Sequence, residues 1–313
     1  MSRAFVFPGQ GSQTVGMGRD VAEAFASARE VFEEIDEALS QNLSKLMFEG
    51  PDEDLILTEN AQPAIMAVSL AVMRVLSKDG GVDLSKTAAY VAGHSLGEYS
   101  ALAAAGCFTI TDTARLLKTR GRTMQDAVPV GEGAMAALIG LDPDVAESIA
   151  TEAAGDGVCT AANDNAPGQV VVSGDAAAVD RAIEIAQSRG CKRAIKLPVS
   201  APFHCALMAP AADVMAEALA EVSMSPLLVP LVANVTAGVV ADTSEISKLL
   251  VEQVTGMVRW RECVLTMKDQ GVDSLVEIGT GKVLSGLARR IDRDLGAVQA
   301  GTPETIEEFL KNL

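Results

Sequence analysis

The sequence predicts an α/β protein built on a mostly parallel sheet. Short apolar strands alternate with amphipathic helices through about residue 130 and again after residue 200. The stretch between them follows a different order, strand–helix–strand–strand–helix–strand. The chain of 313 residues is 49% apolar and 21% charged, enough to build a sizeable core.

Residues 4–7 form a β-rich run that ends in Pro8-Gly9-Gln10-Gly11-Ser12, as expected of a buried strand entering a tight loop. Helical periodicity covers residues 20–39 and 62–76. Residues 87–93 read as a second apolar strand, and the Ala- and Leu-rich residues 95–105 as a helix stopped by Gly106. Another helix spans 111–128, with Thr111 and Asp112 as its capping residues. Between 131 and 200 the expected strands are 134–140, 158–162, 169–173 and 193–197, with helices 143–154 and 176–189. This βαββαβ order is that of a ferredoxin-like module. No linker sets it apart, so it reads as an insertion, with residues 1–130 and 201–313 forming one discontinuous domain around 131–200. Helix 209–222, strand 229–234, helix 244–253, strand 274–278 and a last helix from Pro303 complete the chain.

The charge balance narrows the partners. Lys plus Arg number 25 against 42 Asp plus Glu, a net −17 that repels nucleic acid and anionic membrane surfaces alike. The five cysteines (107, 159, 191, 205, 263) form no C-x-x-C pair, which fits a reducing cytosol better than a disulfide framework or zinc site. Two histidines, His94 and His204, are too few for a His-based metal cluster. The apolar stretch 61–76 is interrupted by Gln62, Pro63, Ser69 and Arg74 and falls short of a membrane span. The N-terminus lacks the apolar core of a signal peptide. A cytoplasmic protein without metal or redox cofactor is the expectation.

Gly9-Gln10-Gly11 follows a strand but lacks the third glycine of a dinucleotide fingerprint, since position 14 is Thr. Gly279-Thr280-Gly281-Lys282 lacks the upstream spacing of a phosphate-binding loop. Both read as tight turns. The first nevertheless leaves backbone N–H groups exposed at the end of a strand.

Gly93-His94-Ser95-Leu96-Gly97 matches the G-x-S-x-G nucleophile elbow, and it lies where that motif requires, between an expected strand and an expected helix. The glycines permit a sharp turn that exposes the Ser95 hydroxyl, and the Leu96 N–H and helix dipole face a developing oxyanion there. The competing reading is a serine that merely caps the helix. A nucleophilic serine needs a base. His94 adjoins Ser95, so on a sharp turn its ring points away. His204, in the loop Pro198-Val-Ser-Ala-Pro-Phe-His, is the better candidate, and the order Ser then His is that of hydrolase-type triads. Cys205 is taken as packing.

In helix 111–128, Arg115, Lys118, Arg122 and Gln125 share a polar face, whereas Arg120 falls beside the apolar stripe of Leu117, Gly121, Met124 and Val128. An inward guanidinium needs an anionic partner, because it cannot shed its charge. That partner is either a structural carboxylate or the carboxylate of a substrate.

Four segments, Phe5-Val-Phe-Pro-Gly-Gln-Gly-Ser-Gln with Val15-Gly-Met-Gly, Gly93-His-Ser-Leu-Gly-Glu-Tyr-Ser-Ala-Leu, Arg120-Gly-Arg-Thr-Met and Ser200-Ala-Pro-Phe-His, together resemble the malonyl-CoA:acyl carrier protein transacylases of fatty acid synthesis. The likeness runs from residue 4 to about 300. It implies an α/β-hydrolase-like domain carrying a ferredoxin-like insertion, and a Ser–His dyad that passes malonyl from malonyl-CoA to the phosphopantetheine thiol of acyl carrier protein. By that resemblance Ser95 is the nucleophile, His204 the base and Arg120 the malonyl clamp. The N–H groups of Gln10 and Leu96 form the oxyanion hole, and the Gln253 carbonyl orients His204. Met124 and Phe203 line the acyl pocket, with His94 and Asn163 nearby. An acidic carrier must then dock on a local basic patch, either Lys192, Arg193 and Lys196 or Lys282, Arg289 and Arg290. A serine thioesterase or hydrolase is the alternative, since it would use the same elbow with water as acceptor.

Overall fold

A computed structural model describes residues 2–199 and 201–313. Met1 and Ser200, the first residue of the Ser-Ala-Pro-Phe-His segment, lie outside the described residues. In chain order the elements are β1 (Arg3–Phe7), α1 (Arg19–Ala24), α2 (Ala26–Leu39), α3 (Leu43–Glu49), α4 (Asp52–Leu55), α5 (Thr58–Lys78), α6 (Leu84–Thr87), β2 (Tyr90–Gly93), α7 (Leu96–Ala104) and α8 (Ile110–Asp126). Next come β3 (Gly133–Ile139), α9 (Pro143–Ala154), β4 (Cys159–Ala166), β5 (Gln169–Asp175), α10 (Ala176–Ser188) and β6 (Arg193–Lys196). The chain finishes with α11 (Ala209–Ala220), β7 (Leu231–Val232), β8 (Val239–Val240), α12 (Ile246–Thr255), α13 (Trp260–Asp269), β9 (Ser274–Ile278), α14 (Val283–Ile291), β10 (Gly296–Ala300) and α15 (Pro303–Lys311).

The larger sheet has the order β10-β9-β1-β2-β7-β8. It is parallel from β10 to β7, and only β8 runs antiparallel. A parallel sheet is covered on both faces, which explains why β1 is an unbroken apolar run. Its alternation assigns Phe5 and Phe7 to one core, with α2, α5 and α7, and Ala4 and Val6 to the other, with α13 and α14. Residues 133–196 form an antiparallel sheet of order β4-β5-β3-β6, with α9 and α10 packed on one face around Leu138, Ile149, Val172 and Val179. Its other face, through Met135, Ala137 and Val171, joins the main core. The two sheets are further fastened by an Arg261–Asp164 ion pair at 2.7 Å and by backbone bonds from Val258 N–H to Ala162 and from Asp164 N–H to Val258.

Several boundaries depart from expectation. The single helix expected over 20–39 is two, because Phe25 takes an extended backbone between α1, which buries Val21, and α2, which buries Val31, Phe32 and Ile35 in the same core. Thr111 and Asp112 do not cap α8: Thr109 is its N-cap, accepting the Asp112 N–H at 3.0 Å, so the helix starts a residue earlier than expected. The second strand starts at Tyr90, since residues 84–87 close a helical turn capped by Asp83. The strand expected at 229–234 shrinks to Leu231–Val232, because the next residues turn back into β8 and Asn234 is used elsewhere. Helices α3, α4, α13 and α14 and strands β8 and β10 lie outside the elements expected from periodicity.

Candidate active site

The site lies at the carboxyl ends of β1 and β2, the usual location for chemistry on a parallel sheet. Ser95 sits between β2 and α7 at φ 54°, ψ −111°, a backbone conformation that a non-glycine residue adopts only when its surroundings impose it. Those surroundings are visible. The Asn234 side chain accepts the Ser95 N–H at 2.8 Å and donates to the Gly93 carbonyl at 2.7 Å, pinning both sides of the turn. A Cβ at Gly97 would run into the Phe7 carbonyl and one at Gly93 into the Gly97 backbone, so the motif's glycines are required by close packing of α7 on β1.

Ser95 Oγ is 2.8 Å from His204 Nε2. On its other side the ring is held by Nδ1–H, which donates to the Gln253 carbonyl at 2.8 Å and lies 3.2 Å from that of Gly256. Two carbonyls at Nδ1 fix the proton there and leave the Nε2 lone pair toward the serine. Among the described residues no carboxylate bonds to the His204 ring. Burial, then the nearby Arg120 charge, pushes the His204 pKa down to about 3, so the ring is a neutral acceptor at rest.

That depression has a consequence for stability. An unfolded histidine titrates near 6.5. Between that value and about 3 the unfolded chain therefore carries a proton that the native site refuses, and stability falls as pH falls. We expect wild type to lose up to ~1.4 kcal/mol per pH unit more than His204→Gln between pH 6.5 and 4.5 in urea denaturation. Parallel pH slopes for the two proteins would show that the native ring accepts protons freely.

Arg120 is 1% exposed and points inward, as its place on the helix wheel requires. Nη1 donates to Gln62 Oε1 at 2.8 Å, and Nη2 to Gln253 Oε1 at 2.9 Å and Ser95 Oγ at 3.1 Å. Its Nε has no hydrogen-bond partner among the described residues, and the guanidinium lies 5.6 Å from the centre of the Tyr99 ring. Among the described residues no carboxylate is within ion-pair distance of it. The nearest carboxylate influence is that of the buried Glu98, whose charge is felt by Arg120 without a direct ion pair.

The other expected residues fall as follows. Leu96 is the first residue of α7, where an N–H has no helical acceptor. Gly9 packs against the His94 carbonyl, which brings the adjacent Gln10 to the elbow; the Gln10 side chain donates to Thr58 Oγ1 at 3.4 Å. Met124 is buried and its sulfur receives the Gln62 amide at 3.7 Å, while Phe203 is buried in the main core next to His204. His94 is engaged elsewhere, with Nε2 2.8 Å from Asn165 Oδ1 and its ring 5.8 Å from that of Trp260. Asn163 is buried on β4 and bridges Val258 through the backbone. Gln62, Glu98, Asn165 and Asn234 were not singled out, although Gln62 interrupts an apolar helix and Glu98 stands in an Ala- and Leu-rich one. Among the described residues no group of three or more His, Cys, Asp or Glu is arranged to hold a metal, all five cysteines are free, and no helix is long and apolar enough to cross a membrane.

The two basic runs converge. Arg193 and Gln169 both pair in register with Ile139, and Arg290 donates to Gln169 Oε1 at 2.7 Å. Lys192, Arg193 and Arg290 thus share one end of the smaller sheet.

A serine elbow backed by a histidine without an acid, with a buried arginine on the same hydroxyl, defines an acyl-transfer class of site. Residues 4–299 match the family model of the acyl transferase domain. The malonyl CoA-acyl carrier protein transacylase of Escherichia coli K12 is 46% identical over 308 residues, covering 98% of each chain. The crystal structure of acyl-carrier-protein-S-malonyltransferase from Bartonella henselae superimposes with a TM-score of 0.97 at 56% identity, covering 100% of this chain and 99% of that one. A malonyl-transacylase solved in complex with its type II PKS acyl-carrier protein gives 0.96 at 41% identity, with full coverage of both chains. The chain belongs to the malonyl CoA-acyl carrier protein transacylase family of acyl transferases.

Proposed function

We propose that this protein moves malonyl from malonyl-CoA to the phosphopantetheine thiol of acyl carrier protein through a malonyl-serine intermediate. The observation that carries the reading is the Arg120 guanidinium, buried, with no carboxylate within ion-pair distance among the described residues, and 3.1 Å from the Ser95 hydroxyl, where the carboxylate of a short dicarboxylic acyl group would sit. His204 Nε2 takes the Ser95 proton as Oγ attacks the thioester carbon, and the N–H groups of Leu96 and Gln10 receive the oxyanion. The imidazolium returns its proton to the departing coenzyme A sulfur. In the second half-reaction His204 takes the carrier's thiol proton, the thiolate attacks the malonyl-serine carbonyl, and the tetrahedral intermediate collapses by expelling Ser95 Oγ, which takes the proton back from the imidazolium. Arg120 holds the malonyl carboxylate throughout, Met124 and Phe203 bound the acyl pocket, and His94 and Asn163 support its edge.

Thioester-to-ester exchange involves no net oxidation, so the proposal includes no resident metal or redox cofactor. It also includes a cytoplasmic location and the division of the chain into an α/β-hydrolase-like domain (1–130 and 201–313) with a ferredoxin-like subdomain (131–200), a reading supported by the 2-3-1-4 strand order of the smaller sheet. An acidic carrier is drawn to the end of that sheet bearing Lys192, Arg193 and Arg290.

Mixing the protein with labelled malonyl-CoA and measuring its mass tests the reaction. A malonyl adduct on Ser95 that persists in water and is cleared by the carrier thiol is the expected result. Rapid release of free malonate would identify a hydrolase instead, and no adduct would overturn the proposal.

A further inference from the structure

Glu98 is a fully buried carboxylate one helical turn after Ser95, and the acyl-transfer steps do not use it. Its Oε2 accepts the Asn234 backbone N–H at 2.9 Å and the Gln253 side-chain amide at 3.0 Å, while Oε1 has no partner among the described residues. A buried carboxylate is an expensive element to keep, and leaving half of it unpaired adds to the cost. A group that only filled space here would be apolar.

The role becomes apparent from the Gln253 amide. Its two ends are nearly the same shape, so only its neighbours decide which end faces where. Nε2 faces three acceptors, namely Glu98 Oε2, the Ser95 carbonyl at 3.0 Å and Asn234 Oδ1 at 3.4 Å. Oε1 then faces Arg120 Nη2 at 2.9 Å. Reversing the amide would set oxygen against oxygen on one side and N–H against guanidinium on the other. We propose that Glu98 is a positioning residue for malonyl recognition: its Oε2 holds the Gln253 amide in the orientation that presents Oε1 to Arg120, and so fixes the guanidinium beside Ser95 before substrate arrives.

Burial raises the Glu98 pKa to about 7, with the Asn234 and Gln253 hydrogen bonds and the Arg120 charge pulling the other way. Protonation does not alter the role. The proton would go to Oε1, which no donor occupies, and Oε2 would remain an acceptor in both states.

This inference rests on the proposed malonyl transfer, and the test separates the two. Wild type, Glu98→Gln, Glu98→Met and Gln253→Met are compared for transfer from malonyl-CoA and from acetyl-CoA to a pantetheine thiol, with melting temperatures alongside. Glutamine can place its carbonyl oxygen where Oε2 stands and its NH2 in the unpartnered Oε1 position, so Glu98→Gln keeps malonyl transfer within about threefold. Glu98→Met removes the acceptor and lowers malonyl kcat/KM roughly ten- to a hundredfold, mainly through KM, with a much smaller loss for acetyl. Gln253→Met leaves the backbone carbonyl on His204 and cuts the same link, so it shows the same malonyl-selective loss even if Glu98→Met fails to fold. Equal losses for both acyl groups, unimpaired malonyl transfer in Gln253→Met, or a Glu98→Gln protein as defective as Glu98→Met would each overturn the inference. Wild type that never transfers malonyl would instead sink the function on which it rests.

Discussion

Replacing Ser95 by alanine is expected to abolish both the malonyl-enzyme and carrier malonylation, a fall of about 10⁴-fold or more in kcat. His204→Ala should come close to the same loss, because the serine hydroxyl then has no group to take its proton. His94→Ala should damage transfer much less, since that ring hydrogen-bonds Asn165 and packs beside Trp260. Stability should hardly change in Ser95→Ala. The unusual backbone of the elbow is imposed by Asn234 and by the packing of Gly93 and Gly97, none of which depends on Oγ. Rates for the three variants, with melting curves to confirm folding, decide the assignment. A His94→Ala protein more impaired than His204→Ala would mean that the base has been misidentified.

Arg120→Ala should change which acyl group the enzyme prefers. Without the guanidinium, the malonyl carboxylate must enter a buried site unpaired. Losing a charge-assisted, two-pronged contact costs about 2–5 kcal/mol, or roughly 30- to several-thousand-fold in malonyl transfer. Acetyl has no carboxylate to strand, and the emptied volume suits it better, so acetyl transfer should persist or rise. The groups left behind are the oxygens of Gln62 and Gln253 and the Ser95 hydroxyl, neutral acceptors whose exposure to a small new cavity is tolerable, and the hydroxyl keeps His204 as a partner. A purely structural arginine would behave otherwise, lowering the melting temperature and slowing both acyl groups equally. Measuring the two rates on one preparation separates these outcomes.

Which parts of this site were legible in the sequence follows from the range of the interactions. Ser95 was legible because the elbow is a local device, five residues whose glycines and flanking elements all serve one turn. His204 was legible by scarcity, there being two histidines to choose from. Arg120 stood out because helical periodicity is a local rule that it breaks. Glu98 and Gln62 also break it, but a single polar letter in an apolar helix does not reveal its partners. Those of Glu98 are Asn234 and Gln253, brought from well over a hundred residues away. Asn234 lay inside an expected strand, which obscured its role at the elbow. The alternating strands and helices predicted the layered α/β architecture, and the βαββαβ order gave the smaller sheet strand by strand. The last third was less legible: α14 and the edge strand β10 are short, and β10 keeps Val298 half exposed, so neither produces a long apolar rhythm.

Val258 is hydrogen-bonded in both directions to β4, its N–H donating to the Ala162 carbonyl and its carbonyl accepting the Asp164 N–H, and Arg261 secures the same strand through Asp164. The segment between α12 and α13 therefore behaves as a fifth rung of the smaller sheet. Two residues before Val258 on that segment is Gly256, whose carbonyl faces the His204 ring, while His204 itself stands just past the return from β6. The Ser95 elbow belongs to the larger sheet, and the ring of His204, proposed as its base, is steadied in part by a segment bound to the smaller one. Reactivity is thus an assembly property of two bodies, like a lock whose bolt and keeper are mounted on different panels. On the proposed mechanism, a chain in which the smaller sheet has come loose would keep its elbow and lose one of the two carbonyls that hold the His204 ring, so a half-assembled molecule would react sluggishly with acyl thioesters.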